Sequence, residues 1–169
     1  PVHLPNGCNV LFEENNRNKK SFACDLKHPD GLQAAYQLIE RSDVFLTNFR
    51  PHVVKRLGLD YDTLRASNPR LVFASSSGLG HEGPDAALGT IDYVAQARSG
   101  VMVSAEALSG AGEPVILPPG IGDRITATYL AYGVVCALLA RERHGVGQEV
   151  RTNHLSSYVS AAAFSVMLA

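Results

Sequence analysis

The chain has 169 residues, of which 46% are hydrophobic and 18% charged. That length buries a genuine core, roughly two-thirds of the unfolded surface, and the balance excludes intrinsic disorder, collagen-like and coiled-coil readings. Lys and Arg number 15 against 16 Asp and Glu, a formal net charge of −1, so the basic excess of a nucleic-acid binder is missing.

Residues 1–16 read as irregular, with Pro1, Pro5 and Gly7 ahead of Glu13-Glu14-Asn15-Asn16. Residues 21–25 read as a short strand. Pro29-Asp30-Gly31 opens a helix whose apolar face, Leu32, Tyr36, Leu38 and Ile39, runs to Ser42. Val44–Thr47 is a compact apolar run, the mark of a buried strand. Residues 52–57 and 61–67 read as two short helices separated at Gly58, and Asn68-Pro69 stops the second. Residues 71–75 form another buried strand, followed by a Ser/Gly turn through Gly80.

This alternation of strands and helices predicts an α/β fold, a parallel sheet flanked by helices. In such sheets a ligand lies beyond the carboxyl ends of the strands, where Asn48-Phe49-Arg50-Pro51 and Ser75-Ser76-Ser77-Gly78 fall. Further on, residues 90–99 read as a helix. Residues 104–122 read as a long Gly- and Pro-rich loop, and 124–143 as the longest helix, with a basic last turn ahead of Gly145. Residues 148–152 predict a strand and 155–167 a final helix. No internal repeat or linker divides the chain.

Cys8, Cys24 and Cys136 are odd in number and lack a CxxC spacing, so neither a disulfide framework nor a zinc site is predicted. The six histidines show no HxxxH or HxH spacing, and no metal is expected. No signal-peptide pattern opens the chain. The longest apolar run, residues 129–140, is too short to cross a bilayer and reads as a buried core helix. A cytoplasmic location and no membrane partner are the expectation.

Asp123 stands between the Gly/Pro-rich loop and the longest helix. A carboxylate there accepts bonds from free helix N–H groups and interacts with the helix dipole, by roughly 0.3–1 kcal/mol. Position alone leaves two readings open, an ordinary N-cap and a functional carboxylate. Two basic groups, Arg17, Lys19, Lys20 and Lys27, then Arg50, Lys55 and Arg56, suit either a phosphorylated ligand or a solvated surface. Ser75-Ser76-Ser77-Gly78-Leu79-Gly80 lacks the Lys of a P-loop and the full GxGxxG fingerprint. There is no GxSxG elbow.

The motifs go further. Asn16-Arg17-Asn18-Lys19-Lys20-Ser21 with Asp25-Leu26-Lys27, and then Ser42-Asp43-Val44-Phe45-Leu46-Thr47-Asn48-Phe49-Arg50-Pro51, resemble consecutive segments of the class III CoA-transferases. Arg56-Leu57-Gly58-Leu59, Asn68-Pro69-Arg70-Leu71 and Ser77-Gly78-Leu79-Gly80 with Gly83-Pro84 continue the likeness in order. Gly122-Asp123 and Leu138-Leu139-Ala140-Arg141-Glu142-Arg143-His144-Gly145-Val146-Gly147-Gln148 extend it.

The resemblance implies a Rossmann-like large domain, with Asp123 as nucleophile and Asp92 as a second catalytic residue, acidic and near the reaction centre. It implies coenzyme A contacts at Cys24, Asp25, Leu26 and Lys27, at Asn48, Phe49 and Arg50, at Arg56, and at Gly89, Thr90, Ile91 and Asp92. The implied substrates are an acyl-CoA and a small carboxylic acid. The implied reaction passes through a mixed anhydride and an aspartyl-CoA thioester, without a metal. One formyl-transferring branch carries Lys where Gly89 stands, and Ser156-Ser157 replaces the usual Asp-Ala, a change expected to touch packing.

Two rival readings accompany this one. An α-methylacyl-CoA racemase shares the fold, but Ile91 occupies the position of that branch's catalytic His and cannot move a proton. The other is a CoA-binding chain inactive on its own. Family members are more than twice this length and form interlocked homodimers. Residues 1–169, starting at Pro1 without Met, are thus expected to be part of the large domain. The first strand–helix unit, the small domain and a return segment would lie elsewhere.

Overall fold

The computed structural model describes residues 4–163. Three parallel strands, β1 (Val44–Thr47), β2 (Val72–Ser77) and β3 (Glu149–Asn153), form a sheet in the order β1-β2-β3. Register sets Phe45 beside Phe73, Thr47 beside Ser75, and Ser75 beside Arg151. The connections supply helices: α1 (Val10–Asn15), α2 (Pro29–Glu40), α3 (Pro51–Arg56), α4 (Tyr61–Ser67), α5 (Asp92–Arg98), α6 (Val101–Ser109), α7 (Ile121–His144) and α8 (His154–Ala161).

One core fills the face of the sheet that carries Phe45 and Phe73. Ile39 of α2, Val54 of α3 and Leu64 of α4 meet Leu59, Leu71 and Phe73 there, and the two Phe rings lie 5.5 Å apart. On the opposite face α7 lies across β2 and β3. Gly133 permits the approach, since a Cβ there would sit 2.6 Å from Val150 Cγ1. A second cluster, Ala95, Val101 and Tyr158 with Ile121 and Ile125, joins α5, α7 and α8.

Five expectations are corrected. Residues 21–25 are not a strand; they run exposed and pair with no strand of the sheet. Residues 1–16 are not wholly irregular, since Asn9 caps α1 by accepting from the Phe12 N–H at 3.2 Å. The predicted loop 104–122 loses its start to α6, which is set between Gly100 and Gly110, both in the left-handed region. α7 begins at Ile121 after a left-handed Gly120, so Asp123 lies within the first turn and is not its N-cap. Nor is α7 a buried core helix. It is long and apolar enough to cross a membrane by length and composition alone, and Tyr132, Val135 and Leu139 are exposed. The end of the predicted helix 155–167 lies outside the described residues.

Candidate active site

The carboxyl ends of β1, β2 and β3 and the first turns of α5, α7 and α8 converge. Asp92, the first residue of α5, ties three of these pieces together. Its Oδ2 accepts from the Gly120 N–H at 2.8 Å and from Gln96 Nε2 at 3.1 Å, while its Oδ1 accepts from the Tyr158 hydroxyl at 2.6 Å. Burial, followed by the bond to Asp92, pushes the Tyr158 hydroxyl well above its ordinary range. Gln96 is fully buried and also binds the Leu117 N–H and carbonyl, which fixes the loop leading into α7. Gly122 is as tightly set, for a Cβ there would overlap Asp92 Oδ1 and the Tyr158 ring.

Asp123 follows, with its side chain 64% exposed. One partner holds it: His154 Nε2 stands 2.8 Å from Oδ1. The other ring nitrogen, Nδ1, lies 3.2 Å from the Ser77 carbonyl at the end of β2. The imidazole is itself only 19% exposed. His154 begins α8 directly after β3, where the Asn153 side chain accepts from the Ser156 N–H, and the Leu155 N–H donates to the Gly78 carbonyl. Arg124, the next residue after Asp123, pairs with Glu14 at 2.9 Å, and that guanidinium holds the Glu14 carboxyl below its usual range.

The segment Gly89, Thr90, Ile91 and Asp92 crosses the strand ends. A Cβ on Gly89 would overlap the Arg50 guanidinium, and one on Gly78 would overlap Thr90. Arg50, Gly89 and Thr90 are thereby brought to the edge that carries Asp92 and Asp123. Asn48 and Phe49, exposed beyond β1, line a cleft of about 400 Å³ together with Cys24 and Leu26. Asp25 and Lys27 stay in the flanking turn, where Asp25 Oδ1 accepts from the Lys27 N–H at 2.9 Å. Ile91 is exposed at the N-cap of α5. Arg56 is exposed in the last turn of α3, apart from that cleft's lining.

A neighbouring cleft of about 320 Å³ shares Thr47 and Phe49 and is lined further by Lys55, His81 and Arg151. Among the described residues no group of three His, Cys, Asp or Glu could hold a metal.

Sequence reasoning missed His154, Tyr158 and Gln96. His154 had one usable signal: it is a histidine directly after the last predicted strand, at the functional edge of a parallel sheet. Tyr158 had none, because Asp92 is 66 residues away, and the tie from Gln96 to the loop before α7 spans 21 residues.

A parallel sheet with a carboxylate presented beside its strand ends defines an α/β domain built for a ligand at that edge. The model of "CoA-transferase family III" matches residues 1–169, and the chain belongs to that family. It is 37% identical over 150 residues to an acyl-CoA transferase of Fusarium pseudograminearum, a match that covers 88% of this chain and 32% of the relative. It is 35% identical over 150 residues to the cinnamoyl-CoA:phenyllactate CoA-transferase of Clostridium sporogenes, covering 88% and 36%. The crystal structure of a hypothetical protein from Mycobacterium tuberculosis superposes with a TM-score of 0.84 at 35% identity, over 91% of this chain and 43% of that one. The chain thus spans about a third of the length of these curated relatives.

Proposed function

We propose that the full-length protein carrying this chain transfers coenzyme A from an acyl-CoA to a carboxylic acid through an aspartyl-CoA thioester on Asp123. The observation that carries this reading is the Asp123 carboxylate itself. It is exposed in the first turn of a 24-residue helix, at the edge where Arg50, Gly89 and Thr90 also meet. Asp123 attacks the thioester carbonyl, the C–S bond breaks, and a mixed anhydride and a CoA thiolate result. The thiolate then attacks the aspartyl carbonyl, expels the donor carboxylate and leaves an aspartyl-CoA thioester. The acceptor carboxylate reverses the two steps.

The CoA contacts proposed are those that the resemblance implies. Cys24, Leu26, Asn48 and Phe49 share one cleft, and Asp25 and Lys27 border it. Arg50 and Arg56 supply cations for phosphate, and Gly89, Thr90, Ile91 and Asp92 pass the strand ends. Asp92 has a positioning role in this reading, because three donors already occupy its carboxylate. Residues 1–169 form part of the large domain. The protein works as an interlocked homodimer in the cytoplasm, on an acyl-CoA and a small carboxylic acid, without a metal.

The racemase reading regains a histidine in His154. Proton exchange at an α-carbon, however, needs acid and base on opposite sides of that carbon. His154 instead binds Asp123 directly.

Intact-mass measurement on the full-length protein incubated with acyl-CoA tests the proposal. A CoA adduct on Asp123 is the expected result, and Asp123→Ala should abolish both adduct and transfer while leaving CoA affinity nearly unchanged. No adduct, together with solvent deuterium entering at the α-carbon, would establish the racemase instead. Neither signal would leave CoA binding alone.

A further inference from the structure

Both nitrogens of the His154 ring face acceptors, the Ser77 carbonyl at 3.2 Å and Asp123 Oδ1 at 2.8 Å. A neutral imidazole carries one N–H, and an imidazolium carries two. A lone pair on Nε2 would point at a carboxylate oxygen, so Nε2 bears its proton in either favourable arrangement. Oδ1 of Asp123 is therefore committed to an N–H donor. Among the described residues, Oδ2 is the oxygen without a hydrogen-bond partner. It lies toward Gly120, which has no side chain, and a Cβ built there would stand 3.8 Å away.

We infer that His154 is a catalytic oxyanion donor to the enzyme's own aspartyl carbonyl, an assignment that rests on Asp123 as the nucleophile. Oδ2 attacks the acyl-CoA, and Oδ1 becomes the carbonyl oxygen of the aspartyl anhydride. When the CoA thiolate adds to the aspartyl carbon, a C–S bond forms and the carbonyl π pair moves onto Oδ1. The negative charge appears 2.8 Å from the His154 Nε2–H that already held this oxygen. Collapse restores the carbonyl and breaks the C–O bond to the donor carboxylate. In the return direction the acceptor carboxylate adds to the same carbon, Oδ1 again takes the charge, and the thiolate leaves. No proton changes place and no further reactant enters.

The donor is preorganised. Nδ1 stands 3.2 Å from the Ser77 carbonyl and donates to it when the ring is an imidazolium, and the backbone beside the ring is tied to Gly78 through the Leu155 N–H. A fixed donor aimed at a developing oxyanion contributes on the order of 100-fold or more in rate.

Rapid-quench intact-mass kinetics of the full-length protein with acyl-CoA and an acceptor acid test the assignment. His154→Leu should form and discharge the Asp123–CoA adduct roughly 100-fold more slowly, with KM for acyl-CoA within about threefold of the parent, as expected for a group acting on the transition state. His154→Gln, which keeps a neutral N–H donor of similar reach, should recover at least a tenth of the parent rate, order-of-magnitude. Should the Leu variant unfold, His154→Asn replaces it, because its amide is too short to reach Oδ1. Adduct kinetics within about twofold of the parent in the Leu or Asn variant, or no recovery with Gln, would overturn the role of His154 while leaving Asp123 as nucleophile. A parent protein that forms no adduct on Asp123 would overturn the underlying reading and this inference with it.

Discussion

His81 illustrates how one side chain carries information that only its surroundings supply. Its Nε2 lies 3.0 Å from Ser75 Oγ and its Nδ1 3.4 Å from Ser77 Oγ, both on β2. Burial, and then the nearby Arg151 cation, hold its pKa below the ordinary 6.5, against the opposing pull of Glu149 and Glu82. The folded state therefore favours neutral His81, and the unfolded chain binds more protons between the lowered folded value and 6.5. This contribution to stability is complete above pH 6.5 and is lost as pH falls through the folded value. Urea unfolding between pH 8 and pH 5 should show His81→Gln losing less stability on acidification than the parent; equal losses would refute this. Asp123 and His154 carry the same lesson. Asp123 was legible as a carboxylate at a helix start, but its commitment to a histidine 31 residues later was not.

Elements were legible where a local pattern governs them. α2, α3, α4 and the three strands follow apolar periodicity and Pro or Gly punctuation, and all appear within a few residues of expectation. The failures share a cause. Residues 21–25 have strand-like composition, yet a strand exists only through a partner, and these residues pair with none. α6 was hidden because the Gly and Pro density of residues 110–120 was averaged with the apolar run before it. The joint between α5, α7 and α8 depends on one absent side chain. Gly122→Ala would drive a methyl into Asp92 and Tyr158 and should cost about 1–3 kcal/mol by overpacking. Thermal or denaturant unfolding measures that loss, and a neutral effect would mean that the helix starts part easily.

At the scale of the whole molecule, Arg141 binds the far end of α7 to the sheet. It is 8% exposed, its guanidinium reaches Asp43 Oδ1 at 3.0 Å, and the carbonyls of Asp43 and Arg70 accept from it at 3.4 Å. Asp43 precedes β1 and Arg70 precedes β2, so one side chain gathers the entrances of two strands under the last turns of α7. Arg141→Met keeps the apolar stem and removes these bonds. It should cost roughly 1.5–3 kcal/mol, the range for hydrogen bonds to a charged group. A loss under about 0.5 kcal/mol in denaturant unfolding would show that packing alone docks the helix. The sequence marked Arg141 only as part of a basic last turn before Gly145, because its partners are 71 and 98 residues away.

The linear chain alone settles the alternation of strand and helix, the parallel sense of the sheet, and the family pattern with its carboxylate at position 123. These depend on residue type and near-neighbour spacing, which are local quantities. Tertiary structure decides which face of α7 meets the sheet, why Gly122 admits no side chain, and how Asp92 and Gln96 secure the turn ahead of Asp123. It also decides that His154 meets Asp123. Those features come from groups joined across loops, where distance along the chain says nothing about distance in space.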